Sequence, residues 1–86
     1  MSGPQRILLV DDEPSIQRAV GPLLRSRGFD VEVAATGAGA LQAFEQHPAD
    51  LVVLDLGLPD LEGTDVCRRL RAQSAVPIIV LSARSA

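Results

Sequence analysis

The sequence is short of aromatic, sulfur-containing and basic residues. It has no tryptophan, tyrosine or lysine, and Phe29 and Phe44 are its two aromatic residues. Without aromatic side chains there is no surface on which unpaired nucleic-acid bases could stack, and the net charge of -3 lacks the basic patch of a nucleic-acid-binding domain. A single cysteine, Cys67, excludes a disulfide within the chain, and with one histidine, His47, it gives no zinc-ligand pattern. This segment is therefore not expected to contact nucleic acid itself.

Long hydrophobic runs are also missing. The longest apolar stretches are too short to span a bilayer, and no stretch has the basic, apolar and small-residue order of a secretory signal. We therefore predict a cytoplasmic chain without membrane contact. Its 86 residues, of which 47% are hydrophobic, are enough for one domain with a modest aliphatic core.

Four short apolar runs predict β-strands, because each is rich in β-branched residues or leucine and is bounded by Pro, Gly or Asp. These runs are residues 6–10, 31–34, 51–54 and 78–81. Three of them are almost continuously apolar, which is typical of parallel strands covered by helices on both faces. Helical spacing between the runs gives the order β-α-β-α-β-α-β. The predicted fold is a doubly wound α/β sheet of the flavodoxin-like type, with right-handed crossovers.

The first helical segment, residues 14–27, carries both a start and a stop signal. Pro14 suits the first turn of a helix and Gly28 suits its exit. Pro22 lies in the middle, where it removes a backbone donor and crowds the carbonyl of Arg18, at a cost of about 3 kcal/mol. We expect a kink at this proline.

The second and third helical segments also have recognisable features. Thr36 is predicted to cap the second helix, which is predicted to end at His47 before Pro48. Val66 and Cys67 share the apolar face of the third helix, so Cys67 is predicted to be a small core residue.

Acidic residues follow two of the predicted strands. Asp11 and Asp12 follow the first strand, and Asp55 follows the third. If these strands are neighbours, the carboxylates converge at the carboxyl edge of the sheet, where ligands bind in open α/β folds. Such a cluster needs a proton or a cation, and Mg²⁺ prefers oxygen ligands. The alternatives are that Asp11, Asp12 and Glu13 serve the dipole of the following helix and that Asp55 starts a turn.

Three short motifs together resemble the receiver domain of bacterial two-component response regulators. They are VDDE at 10–13, the stretch D-x-x-x-P at 55–59 with Gly63 after it, and LSAR at 81–84. The resemblance runs from the first strand to the last residue. Within the family, DLGLPD and SAVPIIVLSARS are most similar to the branch that regulates Kdp potassium transport.

The resemblance implies a role for each matching acid. Asp55 matches the phosphoacceptor, which takes a phosphoryl group from a phosphohistidine of a sensor histidine kinase. Asp12 matches the direct Mg²⁺ ligand, and Asp11 matches the acid that holds the ion mainly through water. Asp55 itself and the backbone carbonyl of Gly57 would complete the metal site. Phosphoryl transfer requires in-line positioning and neutralisation of charge, which such a site supplies.

The resemblance also implies roles near the end of the sequence. Ser82 matches the switch hydroxyl that bonds to the phosphoryl group, and Ala83 matches the small residue that leaves room for it. Gly57 and Arg84 occupy the two positions at which the family tunes the lifetime of the aspartyl phosphate.

A fifth strand, a lysine that pairs with the phosphoryl group and two further helices belong to the family's domain. The sequence has no lysine and stops at Ala86. We therefore expect residues 1–86 to be a receiver domain truncated after the fourth strand, with DNA bound only by a downstream domain. The fourth strand would then be an exposed apolar edge through which the chain self-associates.

Three other functions use some of the same sequence features. A phosphatase of the haloacid-dehalogenase type needs an acid two residues after its nucleophile, and Gly57 stands there. A nucleotide-binding loop is weak, because Gly37 and Gly39 are not followed by the third glycine of that motif, so we interpret these glycines as loosening a helix start. A receiver-like interaction module that cannot be phosphorylated remains open. The expected role is a signalling domain rather than an enzyme.

Overall fold

Strands and helices alternate along the chain as the sequence predicts. The computed structural model describes residues 5–81. Its elements are β1 (Arg6–Val10), α1 (Pro14–Ser26), β2 (Asp30–Ala34), α2 (Gly37–Gln46), β3 (Leu51–Asp55), α3 (Gly63–Gln73) and β4 (Ile78–Leu81). Each predicted strand and helix is therefore confirmed, with boundaries that differ by one residue at the start of β2 and at the ends of α1 and β3.

The four strands form one parallel sheet in the order β2-β1-β3-β4. The chain moves outward from β1 to β2, then crosses back to the other side of β1 with β3. This reversal confirms the doubly wound, flavodoxin-like order. Its consequence for function is that β1 and β3 lie side by side, with Val10 opposite Leu54 at their carboxyl ends.

Alternate residues of the central strands contribute to two separate cores. On one face, Leu8 and Val10 of β1 pack in one buried cluster with residues of α2 and α3. The helix residues of this cluster include Phe44, Val66 and Leu70. On the other face, the buried cluster is smaller, and α1 covers it. Its buried members are Ile7, Leu9, Val31 and Val53. Both faces of the sheet are covered, which explains why the strands are continuously apolar.

The first helix continues through Pro22 as a single element and ends as predicted. Pro22 is exposed, and the kink expected at this proline stays a prediction. Gly28 has a positive φ of 93°, a conformation that favours glycine. Its N–H donates to the carbonyl of Arg25 at 3.0 Å, and the N–H of Phe29 donates to that of Leu24 at 3.2 Å. Gly28 thus turns the chain out of α1 towards β2.

The end contacts of α2 are also those that the sequence predicts. The Thr36 hydroxyl accepts a hydrogen bond from the N–H of Gly39 at 2.9 Å, and the N–H of His47 donates to the carbonyl of Ala43. Cys67 is partly buried against the core beneath α3, as expected. No helix among residues 5–81 is long and apolar enough to cross a membrane.

Candidate functional site

Three carboxylates meet at the carboxyl edge of the sheet. Asp11 directly follows β1, and Asp55 is the last residue of the neighbouring strand β3. Together with Asp12, each offers one carboxylate oxygen, and these oxygens all lie within 4.8 Å of one another. The predicted convergence of the three acids is therefore confirmed, and the cause is the adjacency of β1 and β3.

The three carboxylates have different surroundings. Asp11 and Asp55 are buried, with 4% and 8% of their surface exposed, whereas Asp12 is more open to solvent. One oxygen of Asp12, Oδ1, is nevertheless buried, and it has no hydrogen-bond partner among the described residues. A buried oxygen without a partner is costly, so its position favours a ligand that supplies the missing contact.

Hydrogen bonds fix the backbone around Asp11. Its Oδ1 accepts from the N–H of Glu13 at 2.9 Å, and Nε2 of Gln17 donates to its carbonyl at 2.6 Å. The N–H of Asp11 donates to the carbonyl of Ala34 at 3.0 Å. The β1–α1 connection is thus tied both to α1 and to β2, which holds the acids in place without neutralising them.

Cations do not compensate the cluster within the described part of the chain. None of its salt bridges includes Asp11, Asp12 or Asp55. Two carboxylates at this spacing repel by about 3 kcal/mol at an effective dielectric constant of ~20. Burial raises the pKa of Asp11, as do the charges of Asp55 and Asp12, while the N–H of Glu13 opposes the rise.

The opposite edge of the sheet shows how the same chain treats acids that serve only structure. There, the Arg6 guanidinium pairs with Asp30 at 3.2 Å and with Glu32, and the backbone N–H of Arg6 donates to Asp50 at 2.7 Å. Asp30 and Glu32 at that edge are paired with an arginine, whereas no salt bridge between described residues includes an acid of the cluster. The difference favours a cation-binding role for the clustered acids.

The residues present fit a small divalent cation. All the clustered ligand atoms are oxygens, which suits Mg²⁺, and no group of residues 5–81 forms a hydrogen bond to Oδ1 of Asp12. The alternative that these acids stabilise the N-terminus of α1 explains their arrangement less well. The N-cap residue Glu13 makes no side-chain hydrogen bond, and the first turn of the helix holds no acid. Gly57, whose carbonyl is the remaining predicted ligand, lies in the exposed loop after Asp55.

That loop closes tightly against the start of α3. The N–H of Gly63 donates to the carbonyl of Leu56 at 3.3 Å. A Cβ on Gly63 would lie 2.6 Å from Cα of Leu56 and 3.2 Å from the carbonyl oxygen of Asp55. Glycine is therefore required here, because α3 begins directly against the backbone of the candidate acceptor. This gives a physical reason for the Gly63 of the sequence motif.

Asp60 was missed by the sequence analysis. Its Oδ1 accepts from the N–H of Gly37 at 2.8 Å, and its Oδ2 accepts from the N–H of Ala38 at 2.9 Å. These N–H groups, that of Ala38 foremost, lower the pKa of Asp60. Gly37 permits close packing, since a Cβ there would lie 2.9 Å from Cβ of Leu61. Gly37 thus allows close packing against Leu61 and is not interpreted as loosening the helix start. No local sequence pattern could have paired Asp60 with Gly37 and Ala38, because they are 23 and 22 positions apart.

Ser82, Ala83 and Arg84, which the sequence assigns to the phosphoryl pocket and to control of lifetime, lie outside the described residues. Their roles stay predictions.

Comparison with known proteins gives one consistent result. Residues 7–86 match the family profile described as the response regulator receiver domain. The transcriptional regulatory protein KdpE of Mycobacterium tuberculosis is 54% identical over 79 residues, which is 92% of this chain and 35% of that protein. The DNA-binding response regulator MtrA of Mycolicibacterium smegmatis is 51% identical over 81 residues, covering 94% of this chain and 36% of that protein. The chain thus spans about a third of the length of these relatives.

A solved structure agrees with this result in fold. It is the receiver domain of the sensor histidine kinase PA1611 from Pseudomonas aeruginosa, with a magnesium ion coordinated in its active-site cleft. Sequence identity is 39% and the TM-score is 0.89, over 95% of this chain and 70% of that one.

Proposed function

Because this chain belongs to the response regulator receiver domain family, we propose that a sensor histidine kinase phosphorylates it on Asp55. The observation that supports the proposal is the uncompensated cluster of Asp11, Asp12 and Asp55, with the buried Oδ1 of Asp12 lacking a partner. Asp55 stands at the end of a central strand, so its carboxylate is held in a fixed direction at the edge of the sheet. A fixed acceptor lowers the entropic cost of in-line attack.

The transfer exchanges one bond to phosphorus for another. A carboxylate oxygen of Asp55 attacks the phosphorus of the kinase's phosphohistidine, forming a P–O bond while the P–N bond breaks. The electron pair stays with the imidazole nitrogen, which takes up a proton, and the product is an aspartyl phosphate. This chain is modified once for each transfer, so it acts as a signalling domain and not as an enzyme.

Four groups would hold Mg²⁺: the carboxylates of Asp11, Asp12 and Asp55 and the backbone carbonyl of Gly57. When bound, the ion supplies positive charge that offsets the repulsion between the acceptor carboxylate and the incoming phosphoryl group. The Mg²⁺ in the PA1611 receiver domain supports the assignment, because that domain is similar in sequence and fold. The protein's own contribution is to keep these oxygens together and free of competing cations.

The process that phosphorylation of this chain would control is inferred from its relatives. From the similarity to the transcriptional regulatory protein KdpE and the DNA-binding response regulator MtrA, we propose control of transcription through a DNA-binding domain outside this segment. We also propose that the chain acts in the cytoplasm and that the controlled genes serve potassium transport, as the sequence motifs suggest. We further propose that Ser82 and Ala83 form the phosphoryl pocket and that Gly57 and Arg84 set the lifetime of the phosphate. No comparison supports the self-association that the sequence predicts, so it stays a proposal.

Intact-mass spectrometry after incubation with acetyl phosphate or phosphoramidate tests the acceptor. We expect a Mg²⁺-dependent gain of one phosphoryl group, which Asp55→Asn abolishes. Asp65→Asn is the matched control, because Asp65 is paired with Arg68 on α3, outside the cluster. An unmodified mass in every condition would leave a receiver-like interaction module that is not phosphorylated. A phosphoryl gain that persists in Asp55→Asn would place the acceptor elsewhere.

A further inference from the structure

The segment between Asp55 and α3 is attached to a helix that takes no part in the carboxylate cluster. Asp60 lies in the middle of this segment, and both of its carboxylate oxygens accept hydrogen bonds from the first residues of α2. The two acceptor distances, 2.8 Å from the N–H of Gly37 and 2.9 Å from that of Ala38, make this a two-point attachment. An ionised carboxylate is a strong acceptor for free N–H groups at a helix start, where the helix dipole also favours negative charge.

Packing reinforces the attachment on both sides of Asp60. Leu61 lies against Gly37, with no space for a side chain between them. At the other end of the segment, the carbonyl of Leu56 accepts from Gly63. Gly57 therefore lies between two anchors, at Leu56 and at Asp60. Because Gly57 has no side chain, no side-chain contact of its own holds its backbone, and the anchors on either side limit its movement.

We propose that Asp60 is a positioning residue of the metal site, which fixes the backbone of Gly57 by clamping the loop after Asp55 to the start of α2. The inference rests on the proposed function, since it requires the Gly57 carbonyl to bind Mg²⁺. Asp60 itself touches neither the ion nor the phosphoryl group. Its effect on phosphorylation is to keep one ligand of the ion in the orientation that binding needs.

The start of α2 supplies a control for this role. Thr36 also caps α2, through the hydrogen bond from the N–H of Gly39, but it is a neighbour of the helix in sequence and makes no hydrogen bond to the loop after Asp55. Thr36→Ala and Asp60→Ala each remove capping from the same helix end. Only Asp60→Ala also releases the loop. A purely structural role would make the two variants equivalent.

The test is a Mg²⁺ titration of the ¹⁵N-labelled chain, followed by amide chemical shifts in NMR, with the fold of each variant checked by circular dichroism. We expect Asp60→Ala to weaken Mg²⁺ binding by about tenfold, the lower end of the loss seen when a group that orients a metal ligand is removed. Thr36→Ala should keep the affinity of the unaltered chain while lowering the melting temperature. Asp60→Asn retains one oxygen acceptor and should be intermediate.

Phosphorylation by acetyl phosphate at subsaturating Mg²⁺ gives a second measurement, in which Asp60→Ala should be slowed and then rescued by excess Mg²⁺. Equal Mg²⁺ affinities for Asp60→Ala and the unaltered chain would overturn the inference and leave the proposed function intact. Equal losses in Asp60→Ala and Thr36→Ala would also overturn it. If the unaltered chain bound no Mg²⁺, the metal site of the proposed function would itself be wrong. Should Asp60→Ala fail to fold, Asp60→Asn against Thr36→Ala decides the question.

Discussion

Asp11 lies almost fully buried beside two other acids, and the N–H of Glu13 is the hydrogen-bond donor to its carboxylate. Burial and the neighbouring charges both oppose its ionisation, so the folded chain carries a local electrostatic cost at neutral pH. An acid that served stability alone would be paired, as Asp30 and Glu32 are with Arg6. The cost at Asp11 is the physical basis of the proposed cation binding.

Asp11→Asn is therefore expected to stabilise the chain in the absence of Mg²⁺. The amide oxygen can still accept from Glu13, while the charge is removed. The raised pKa of Asp11 means that its ionisation destabilises the folded state as pH rises through that pKa. At pH 7 the free energy of unfolding should rise by an amount on the order of 1–3 kcal/mol, the scale of one carboxylate repulsion at this spacing.

The gain should disappear at about pH 3, because aspartate then becomes protonated in both the folded and the unfolded chain. Urea unfolding at the two pH values, followed by circular dichroism, measures both quantities. A gain that is the same at both pH values would contradict the electrostatic explanation. Asp50→Asn at the opposite edge of the sheet should give no such gain, because Asp50 lies outside the cluster and its amide oxygen could still accept from the N–H of Arg6.

Asp12 provides the second prediction at this scale. Mg²⁺ at about ten times its Kd stabilises a folded protein by about 1.4 kcal/mol, which for a domain of this size raises the melting temperature by roughly 6–11 °C. We expect this rise for the unaltered chain and its loss in Asp12→Asn, because the buried Oδ1 of Asp12 has no other partner. Thermal melts with Mg²⁺ and with K⁺ at matched ionic strength measure it. An equal rise of the melting temperature in Asp12→Asn would show that Asp12 is not a ligand of the ion.

At the scale of elements, the connection from β3 to α3 links the acceptor to the rest of the molecule. It begins at Asp55, is bound to α2 through Asp60 and ends where Gly63 packs against Leu56. Each of these contacts joins residues of different elements. A change at the start of α3 should therefore shift the proposed acceptor, Asp55, through the backbone of Asp55 and Leu56.

Gly63→Ala should damage both stability and phosphorylation. The new Cβ would lie 2.6 Å from Cα of Leu56, and because that atom is backbone it cannot move aside without shifting the residue after Asp55. We expect a loss of about 1–3 kcal/mol, the usual cost of overpacking, and a slower Mg²⁺-dependent phosphorylation.

Gly28→Ala is the matched control for this variant. Nothing lies within 4 Å of a Cβ at Gly28, but its φ of 93° disfavours alanine, and we expect the substitution to cost about 1–2 kcal/mol. Stability should fall while the rate of phosphorylation below the melting temperature is unchanged. Denaturant unfolding and mass spectrometry of the same samples separate the two effects. Equal phosphorylation rates for Gly63→Ala and the unaltered chain would refute the link between α3 and the acceptor.

At the scale of the whole molecule, β4 is the edge strand of the sheet as described. Ile79 and Val80 of this strand are 50% and 44% exposed, while the central strands are buried. The sheet face covered by α1 also has the smaller buried cluster. An apolar edge with unpaired backbone groups is a surface on which another strand can pair.

The 86-residue chain is expected to self-associate through β4. Light scattering coupled to size-exclusion chromatography at tens of micromolar should give a mass above that of one chain. Val80→Lys should restore the monomer, because a lysine on an edge strand opposes strand pairing. Arg71→Lys, on the exposed end of α3, is a charge-neutral control that should leave association unchanged. A monomeric mass for the unaltered chain at this concentration would refute the prediction.

The sequence by itself determined the elements and the identity of the clustered acids. Apolar runs of strand length, the cap at Thr36 and the turn at Gly28 depend on interactions between residues a few positions apart, so local pattern was sufficient for each. Position after a strand was likewise enough to select Asp11 and Asp55 as candidates, but their meeting was conditional on β1 and β3 being neighbours.

Tertiary structure alone decided which distant groups meet. The order β2-β1-β3-β4 brings Asp11 and Asp55 to one edge, although 44 residues separate them in the sequence. The bonds from α2 to Asp60 join residues that are 22 and 23 positions apart. Such contacts arise from strand order and helix packing, which local spacing does not encode. This is why the acids could be recognised in advance, whereas the residue that clamps their loop became visible only in the folded chain.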